Sequence, residues 1–322
     1  MRAILVQKLG GPEVLELTDL PRPSPKPGEV LIRVRAIGLN FADILSVRGE
    51  YLTRTRVPFI PGMEFSGTIE ELGEGVEGLQ PGQLVAALGG SGAFAEYATV
   101  PARAVLPVPP NLNAYEAAAL PVSFYTAFFS LHTLGQAKVG ETVLVQAAGG
   151  ALGTASVQVA KAMGLGVIAT ASREEKLELA RRLGADQAFL SGDPELEAKV
   201  RQATGQGVDL LMELVGGEGF AQSLRMLAPR GRLLVIGSAS QQYASLRPVE
   251  LMKKNLSVIG VWLVPFLSDP QAMLEATRFL APLLAAGHAK PVVGRAFKLD
   301  QAAQAFEYVL SRASTGKVLL EP

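Results

Sequence analysis

Between residues 142 and 263 one pattern of hydrophobic and polar positions recurs. A short unbroken apolar run is followed by a longer stretch whose apolar positions return every three to four residues. The runs predict strands at Thr142–Gln146, Val167–Ala171, Ala188–Leu190, Val208–Leu214, Arg232–Gly237 and Leu256–Leu263. The periodic stretches predict helices near 152–163, 173–183, 194–204, 219–228 and 248–254. Continuously apolar strands need cover on both faces, so the alternation implies a parallel, doubly wound α/β sheet. Residues before 110 behave differently. Short alternating strands (Arg2–Lys8, Val14–Asp19, Glu29–Ile37, Ser66–Leu72, Gln83–Leu88, Phe94–Val100, Ala104–Val108) sit between Pro/Gly clusters, which suggests a partly open barrel. One helix, with Asn40 as N-cap and Gly49 as stop, interrupts them, and two helical pieces break at Pro121. The tail adds a helix near 270–286, a strand near 292–297, a helix capped by Asp300, and a closing strand after Gly316. The expected domains are residues 1–122 with 265–322, and an inserted unit, 123–264. The crevice between them is the expected active site.

The stretch Val143–Gly166 carries the clearest chemistry. A strand ends at Ala147–Ala148, glycines follow at Gly149, Gly150 and Gly153, and a helix begins at once. Glycines admit a pyrophosphate close to the backbone, and the helix N-terminus turns free N–H groups toward it. Gly149, Gly150, Ala151, Leu152 and Gly153 are therefore the expected dinucleotide cradle. The spacing A-x-x-G-x-x-G is looser than G-x-G-x-x-G and gains its meaning from the strand before and the helix after.

Composition narrows the rest. Lys+Arg and Asp+Glu are both 30, which argues against a large nucleic-acid surface. There are no cysteines and only two histidines, so disulfides, Cys-ligated zinc and a His-rich metal site are all excluded. No apolar run reaches the roughly 18 residues of a membrane span. Met1-Arg2-Ala3 leads straight into a strand, so a cytoplasmic protein is expected.

The tip of the second strand bears on the cofactor. An NAD enzyme usually places an acid there for the ribose 2′-hydroxyl. This chain has Ser172, Arg173 and Lys176 instead, which suits a 2′-phosphate and predicts NADPH. Ser172 with Glu175 also reads as a capping box, and Arg173 and Lys176 as ordinary helix charges. A phosphate at a helix N-terminus is compatible with both.

Five motifs, GLNFADILSVRGEY (38–51), PGMEFSGTIEELGEGV (61–76), GSGAFAEYATV (90–100), AAGGALG (147–153) and RASTGKVLLEP (312–322), resemble the medium-chain dehydrogenase/reductase superfamily. Within it they resemble the zinc-free quinone oxidoreductase branch. The resemblance implies a GroES-like β-barrel catalytic domain with an inserted Rossmann domain, NADPH as cofactor, and a homodimer formed across the Rossmann edge strand, here Leu256–Leu263. It also implies site residues: Asn40 and Thr126 near the nicotinamide, Tyr51 as hydrogen-bond donor to the acceptor, Gly237, Ser238 and Leu263 at the pocket, and Arg312 on the cofactor phosphates. Each has a plain structural alternative: helix cap for Asn40, loop tyrosine for Tyr51, packing for Thr126 and Leu263, surface charge for Arg312. Phe189 stands where the family often has a tyrosine and lacks its hydroxyl. Zinc-dependent relatives carry a Cys and a His-Glu pair where this chain has Asn40 and Met63-Glu64, so no metal is expected. The expected activity is hydride transfer from NADPH to a quinone or another small electrophilic acceptor. An alkenal or enone reductase and a non-catalytic cofactor-binding protein (crystallin-like or RNA-binding) are the alternatives. His132 is expected in the core, His288 at the surface, and Glu64 and Asp43 as structural carboxylates.

Overall fold

The computed structural model describes residues 1–89 and 91–322, and its residue contacts divide the chain into two units, Met1–Val122 with Lys290–Pro322, and Ser123–Ala289. The first unit opens with β1 (Arg2–Leu5), β2 (Glu16–Asp19), β3 (Glu29–Leu39), α1 (Phe41–Arg48), β4 (Glu64–Leu72), β5 (Leu84–Leu88), β6 (Tyr97–Pro101), β7 (Val105–Pro107) and α2 (Ala114–Ala118). The second holds most of α3 (Pro121–Phe128), then β8 (Thr142–Val145), α4 (Ala151–Ala162), β9 (Gly166–Ala171), α5 (Glu174–Arg182), β10 (Gln187–Leu190), α6 (Leu196–Thr204), β11 (Val208–Glu213), α7 (Gly219–Met226), β12 (Leu227–Val235), α8 (Pro248–Met252), β13 (Ser257–Gly260) and α9 (Pro270–Ala285). The chain then returns to the first unit with β14 (Val293–Lys298), α10 (Ala302–Leu310) and β15 (Lys317–Glu321).

In the first unit the strands form a seven-stranded sheet in the order β14-β15-β3-β4-β5-β7, with β6 also paired to β3. In its long central strand β3, Val30, Ile32 and Val34 join the core while Arg33 and Arg35 are exposed on the opposite face. Phe94 and Phe306 meet edge-to-face in that core, their ring centroids 6.1 Å apart.

In the second unit six strands lie in the order β10-β9-β8-β11-β12-β13 with every pairing parallel. Leu144, Ile168, Leu211 and Leu233 of its central strands are buried under helical side chains such as Leu196, Val200, Phe220 and Leu224. This is the α/β architecture read from the apolar runs.

Several boundaries differ from expectation. The second domain boundary falls at 289/290 rather than 265. The reason is α9, which packs within the second unit: Phe279 lies 5.3 Å from Phe128, and Thr277 Oγ1 is hydrogen-bonded to Tyr125 Oη at 2.7 Å. The strand expected at Arg232 begins at Leu227, because the left-handed Arg230 (φ 64°) forms an irregularity inside the strand instead of ending it. The strand expected from Phe94 begins at Tyr97. Asp300 caps no helix: it lies inside a 3-10 turn whose entry Lys298 N–H is taken by Gln301 Oε1 at 3.0 Å. Beyond α3 the chain continues as a π-helix, Phe129–Leu134, closed by Gly135 N–H on the Ser130 carbonyl. His132 lies in this π-turn and is exposed rather than in the core, stacked on Phe128 at 4.7 Å and 3.9 Å from Glu275. No helix among the described residues is long and apolar enough to cross a membrane.

Candidate functional site

The glycine turn leaves open space at a helix N-terminus. Strand β8 ends at Val145, and Ala147 takes a left-handed conformation (φ 48°) that reverses the chain. Gly150 is the N-cap of α4, a helix of 12 residues whose first N–H groups have no intrahelical acceptor. A Cβ on Gly153 would stand 2.3 Å from the Ala147 carbonyl oxygen and 2.6 Å from the Ala148 Cα, so only glycine lets the helix start this close to the strand. A Cβ on Gly150 would meet nothing nearer than 3.4 Å, which leaves space beside the helix N-terminus. This cradle fits a pyrophosphate.

The tip of β9 lies beside it. Here the capping-box expectation fails. The N-cap of α5 is Arg173, not Ser172, and no side-chain cap bond is made. Ser172 is exposed, and Arg173 pairs with Glu175 at 3.0 Å. Lys176 is the informative residue. It is only 7% exposed, and its aliphatic stem lies across Gly149, where a Cβ would stand 2.6 Å from Lys176 Cβ. Burial, and next the Arg173 charge, push its amine below the ordinary lysine value. Two cations thus converge near the cradle, an arrangement that an anion with more than one charge relieves. Phe189, on β10, is half-buried against the hydrophobic core of this unit.

The other sequence-predicted residues of the second unit sit as follows. Thr126 is buried, and its carbonyl accepts from Ser130 Oγ at 2.6 Å. Gly237 and Ser238 are exposed just past the carboxyl end of β12, and a Cβ on Gly216 would lie 2.8 Å from Ser238 Oγ. Leu263 is buried.

In the first unit, Asn40 opens α1. Half of a capping box forms: Asp43 Oδ2 accepts from the Asn40 backbone N–H at 2.8 Å. The Asn40 amide itself is turned to a buried ionic cluster. Its Oδ1 accepts from Lys317 Nζ at 2.6 Å, and its Nδ2 donates to Glu64 Oε1 at 2.9 Å and more weakly to the Gly38 carbonyl at 3.4 Å. Glu64 Oε1 is ion-paired with Lys317 Nζ, and Glu64 Oε2 accepts from Val122 N–H at 2.7 Å. Glu64, Asp43 and Lys317 are all essentially buried. Burial raises the Asp43 carboxyl to about 7, against the opposing pull of the Asn40 backbone N–H and the Lys317 charge. Sequence reasoning missed Lys317. Its signal was a charge on the inward side of an otherwise apolar closing strand, in register with buried Leu319.

Tyr51 follows directly from the end of α1. Gly49 is left-handed (φ 74°), and Glu50 N–H reaches the Leu45 carbonyl at 2.8 Å, which turns the chain and leaves Tyr51 half-buried in the next loop. Arg312 is exposed and left-handed (φ 57°), past the end of α10. These residues lie in the first unit, and Thr126, Gly237, Ser238 and Leu263 in the second.

The donor chemistry around Asn40 does not suit a divalent metal. An amide and the thioether of Met63 stand at the positions in question, and Glu64 is partnered by an ammonium.

Comparison with known proteins agrees with this architecture. The alcohol dehydrogenase GroES-like domain matches residues 26–110, and the zinc-binding dehydrogenase family matches residues 151–281. Quinone oxidoreductase-like protein 2 from Bos taurus is 38% identical over 99% of this chain and 92% of its own length. The quinone oxidoreductase of Thermus thermophilus, solved alone and with NADPH, is 48% identical with a TM-score of 0.89 over the whole of both chains. The quinone oxidoreductase of Escherichia coli, solved with NADPH, is 28% identical with a TM-score of 0.92, again over the whole of both chains. With this fold and this extent of likeness, the chain belongs to the zinc-free quinone oxidoreductase branch of the medium-chain dehydrogenase/reductase superfamily.

Proposed function

We propose that this protein is an NADPH-dependent reductase that passes hydride to quinones without a metal. The observation that carries the cofactor half is Lys176, packed over Gly149 beside Arg173, at a strand tip that holds no acid. The turn Gly149–Gly153 would hold the pyrophosphate through the α4 N-terminus, and Ser172, Arg173 and Lys176 the 2′-phosphate. Thr126, Gly237, Ser238 and Leu263 would line the nicotinamide end, and Arg312 would neutralise phosphate charge. When bound, NADPH supplies a hydride from C4 of its nicotinamide.

The chain's own residues then have to orient the acceptor and meet the charge that grows on its oxygen. Tyr51 has a hydroxyl to donate. Asn40 Nδ2 donates only weakly to the Gly38 carbonyl, at 3.4 Å, and that N–H exchanges readily for a better acceptor. Names of relatives and solved neighbours, quinone oxidoreductases among them, support the quinone as acceptor. The protein would form a homodimer through β13, an edge strand whose Val258 is exposed.

The test is NADPH oxidation against a panel of quinones, enones and aldehydes. Turnover with quinones well above the other classes supports the proposal. Turnover with enones alone would replace it with an alkenal reductase.

A further inference from the structure

One buried side chain of the second unit takes no part in the proposed hydride transfer. Glu213, the last residue of β11, is wholly buried. Its Oε1 accepts from the backbone N–H groups of Val215 (3.0 Å) and Gly216 (2.8 Å). Its Oε2 accepts from Ser223 Oγ (2.5 Å) and Gln146 Nε2 (3.1 Å). Its backbone carbonyl accepts from Ile236 N–H (3.0 Å) and Gly237 N–H (3.4 Å). Gln146 completes the net, because its Oε1 accepts from Leu214 N–H at 3.2 Å. Gln146 is the residue that enters the glycine turn, Val215–Gly217 is the loop after β11, and Gly237–Ser238 is the loop after β12. Three neighbouring turns at the carboxyl edge of the sheet are therefore tied to one residue.

The tie adds to direct bonds between the two later turns, where Ala239 N–H donates to the Leu214 carbonyl at 3.1 Å and Ser240 N–H to the Val215 carbonyl at 2.8 Å. Gly216 and Gly217 are both left-handed (φ 70° and 67°), and their Cβ positions would lie 2.8 Å from Ser238 Oγ and 2.9 Å from Ser240 Oγ. The two loops thus pack backbone to side chain with no room for slippage. A carboxylate buried without a cation is costly unless its lone pairs are filled, and here four neutral donors fill them. An apolar residue at this position would leave the Val215 and Gly216 N–H groups without their acceptor, so the carboxylate fixes these turns as well as ending the strand.

We propose that Glu213 is a positioning residue for the nicotinamide half of the dinucleotide, holding the loops after β8, β11 and β12 in one register. The inference rests on the proposed NADPH reading, and the sheet order supplies the half. The strand tip with Arg173 and Lys176 is β9, on one side of β8, and takes the adenosine end. With the pyrophosphate on the turn after β8, the remaining half of the cofactor extends over β11 and β12.

The test compares two ligands on the purified full chain by titration calorimetry: NADPH, and adenosine 2′,5′-bisphosphate, which has only the adenosine end. In Glu213→Gln, one amide N–H₂ replaces an acceptor and faces existing donors. The expected result is an NADPH dissociation constant raised at least about tenfold, with that of the bisphosphate within about twofold of wild type. Equal weakening of both ligands, or of neither, overturns the inference and leaves Glu213 a structural residue. If Glu213→Gln does not fold, Ser223→Ala decides the matter, since it removes one donor to Oε2 and leaves the loops' own bonds. Weaker NADPH binding with unchanged bisphosphate binding supports the inference, and any other outcome overturns it. Wild-type protein that binds neither ligand would instead remove the NADPH reading itself.

Discussion

Replacing Lys317 by Met deletes the one cation from a buried cluster and keeps a similar shape. Lys317 is 1% exposed and Glu64 is 0% exposed. Without the ammonium, Glu64 keeps only two neutral donors, Asn40 Nδ2 at 2.9 Å and Val122 N–H at 2.7 Å, and Asn40 Oδ1 loses its 2.6 Å donor. Removing one partner from a buried pair costs about 3–5 kcal/mol, most of it from the charge left behind. With a urea slope of about 1–3 kcal/mol per molar, the midpoint of the first unit should fall by at least about 1 M. The double variant Glu64→Gln/Lys317→Met removes both charges and should recover at least about 2 kcal/mol relative to the sum of the single changes. Urea unfolding followed by far-UV circular dichroism reports both units. Fluorescence of the only tryptophan, Trp262, reports the second alone, which separates the two. A loss below about 1 kcal/mol, or additive single and double variants, would refute the cost assigned to the pair.

Three further outcomes are expected. NADPH should bind at least about tenfold more tightly than NADH, the worth of one or two charge-assisted bonds, and Lys176→Ala should remove most of that preference. Only the protonated amine holds a phosphate, and Lys176 is held below its ordinary value, so the preference measured by titration should decline with rising pH before a free lysine would lose its proton. Asp43 ionises near 3.8 in the unfolded chain and at about 7 when folded, so the folded state holds the extra proton between these values. Its contribution is present at low pH and is lost as pH rises through that window. In Asp43→Asn, which keeps an acceptor for the Asn40 N–H, thermal melts from pH 4 to 8 should show this decline weakened. Tyr51→Phe should lower quinone turnover by about tenfold with a smaller change in KM, if the hydroxyl acts mainly in the transition state; unchanged turnover removes that role.

Most of the second unit was legible in the sequence, for a physical reason. Strands covered on both faces leave unbroken apolar runs, and β8, β9 and β11 fell within a residue of their expected ends. The glycine turn was legible because Gly153 has no tolerated alternative against the Ala147 carbonyl. What escaped were features decided by tertiary contact. Nothing local to α9 says which unit it packs against. Ser172 and Glu175 have the spacing of a capping box, yet the N-cap is one residue later, at Arg173, and the helix begins at Glu174. Lys317 and Glu64 lie far apart in the chain, and only the closing strand β15, paired with β3, brings them together. Asn40 was read as a cap and as a cofactor contact. The structure gives the capping oxygen to Asp43 and the Asn40 amide to Lys317 and Glu64. Glu213 is a single polar residue near the end of an apolar run, and the six bonds that converge on it come from four separate stretches of the chain.

The proposed metal-free passage of hydride from NADPH to a quinone would be visible in a single turnover. Chelator-treated protein, loaded with NADPH deuterated at C4, is mixed with a benzoquinone while absorbance at 340 nm is followed. Stoichiometric loss of the reduced-nicotinamide absorbance is expected, slower with the deuterated face than with protium, and unchanged on adding zinc. Absorbance that stays constant until a metal is supplied would contradict hydride transfer by this route.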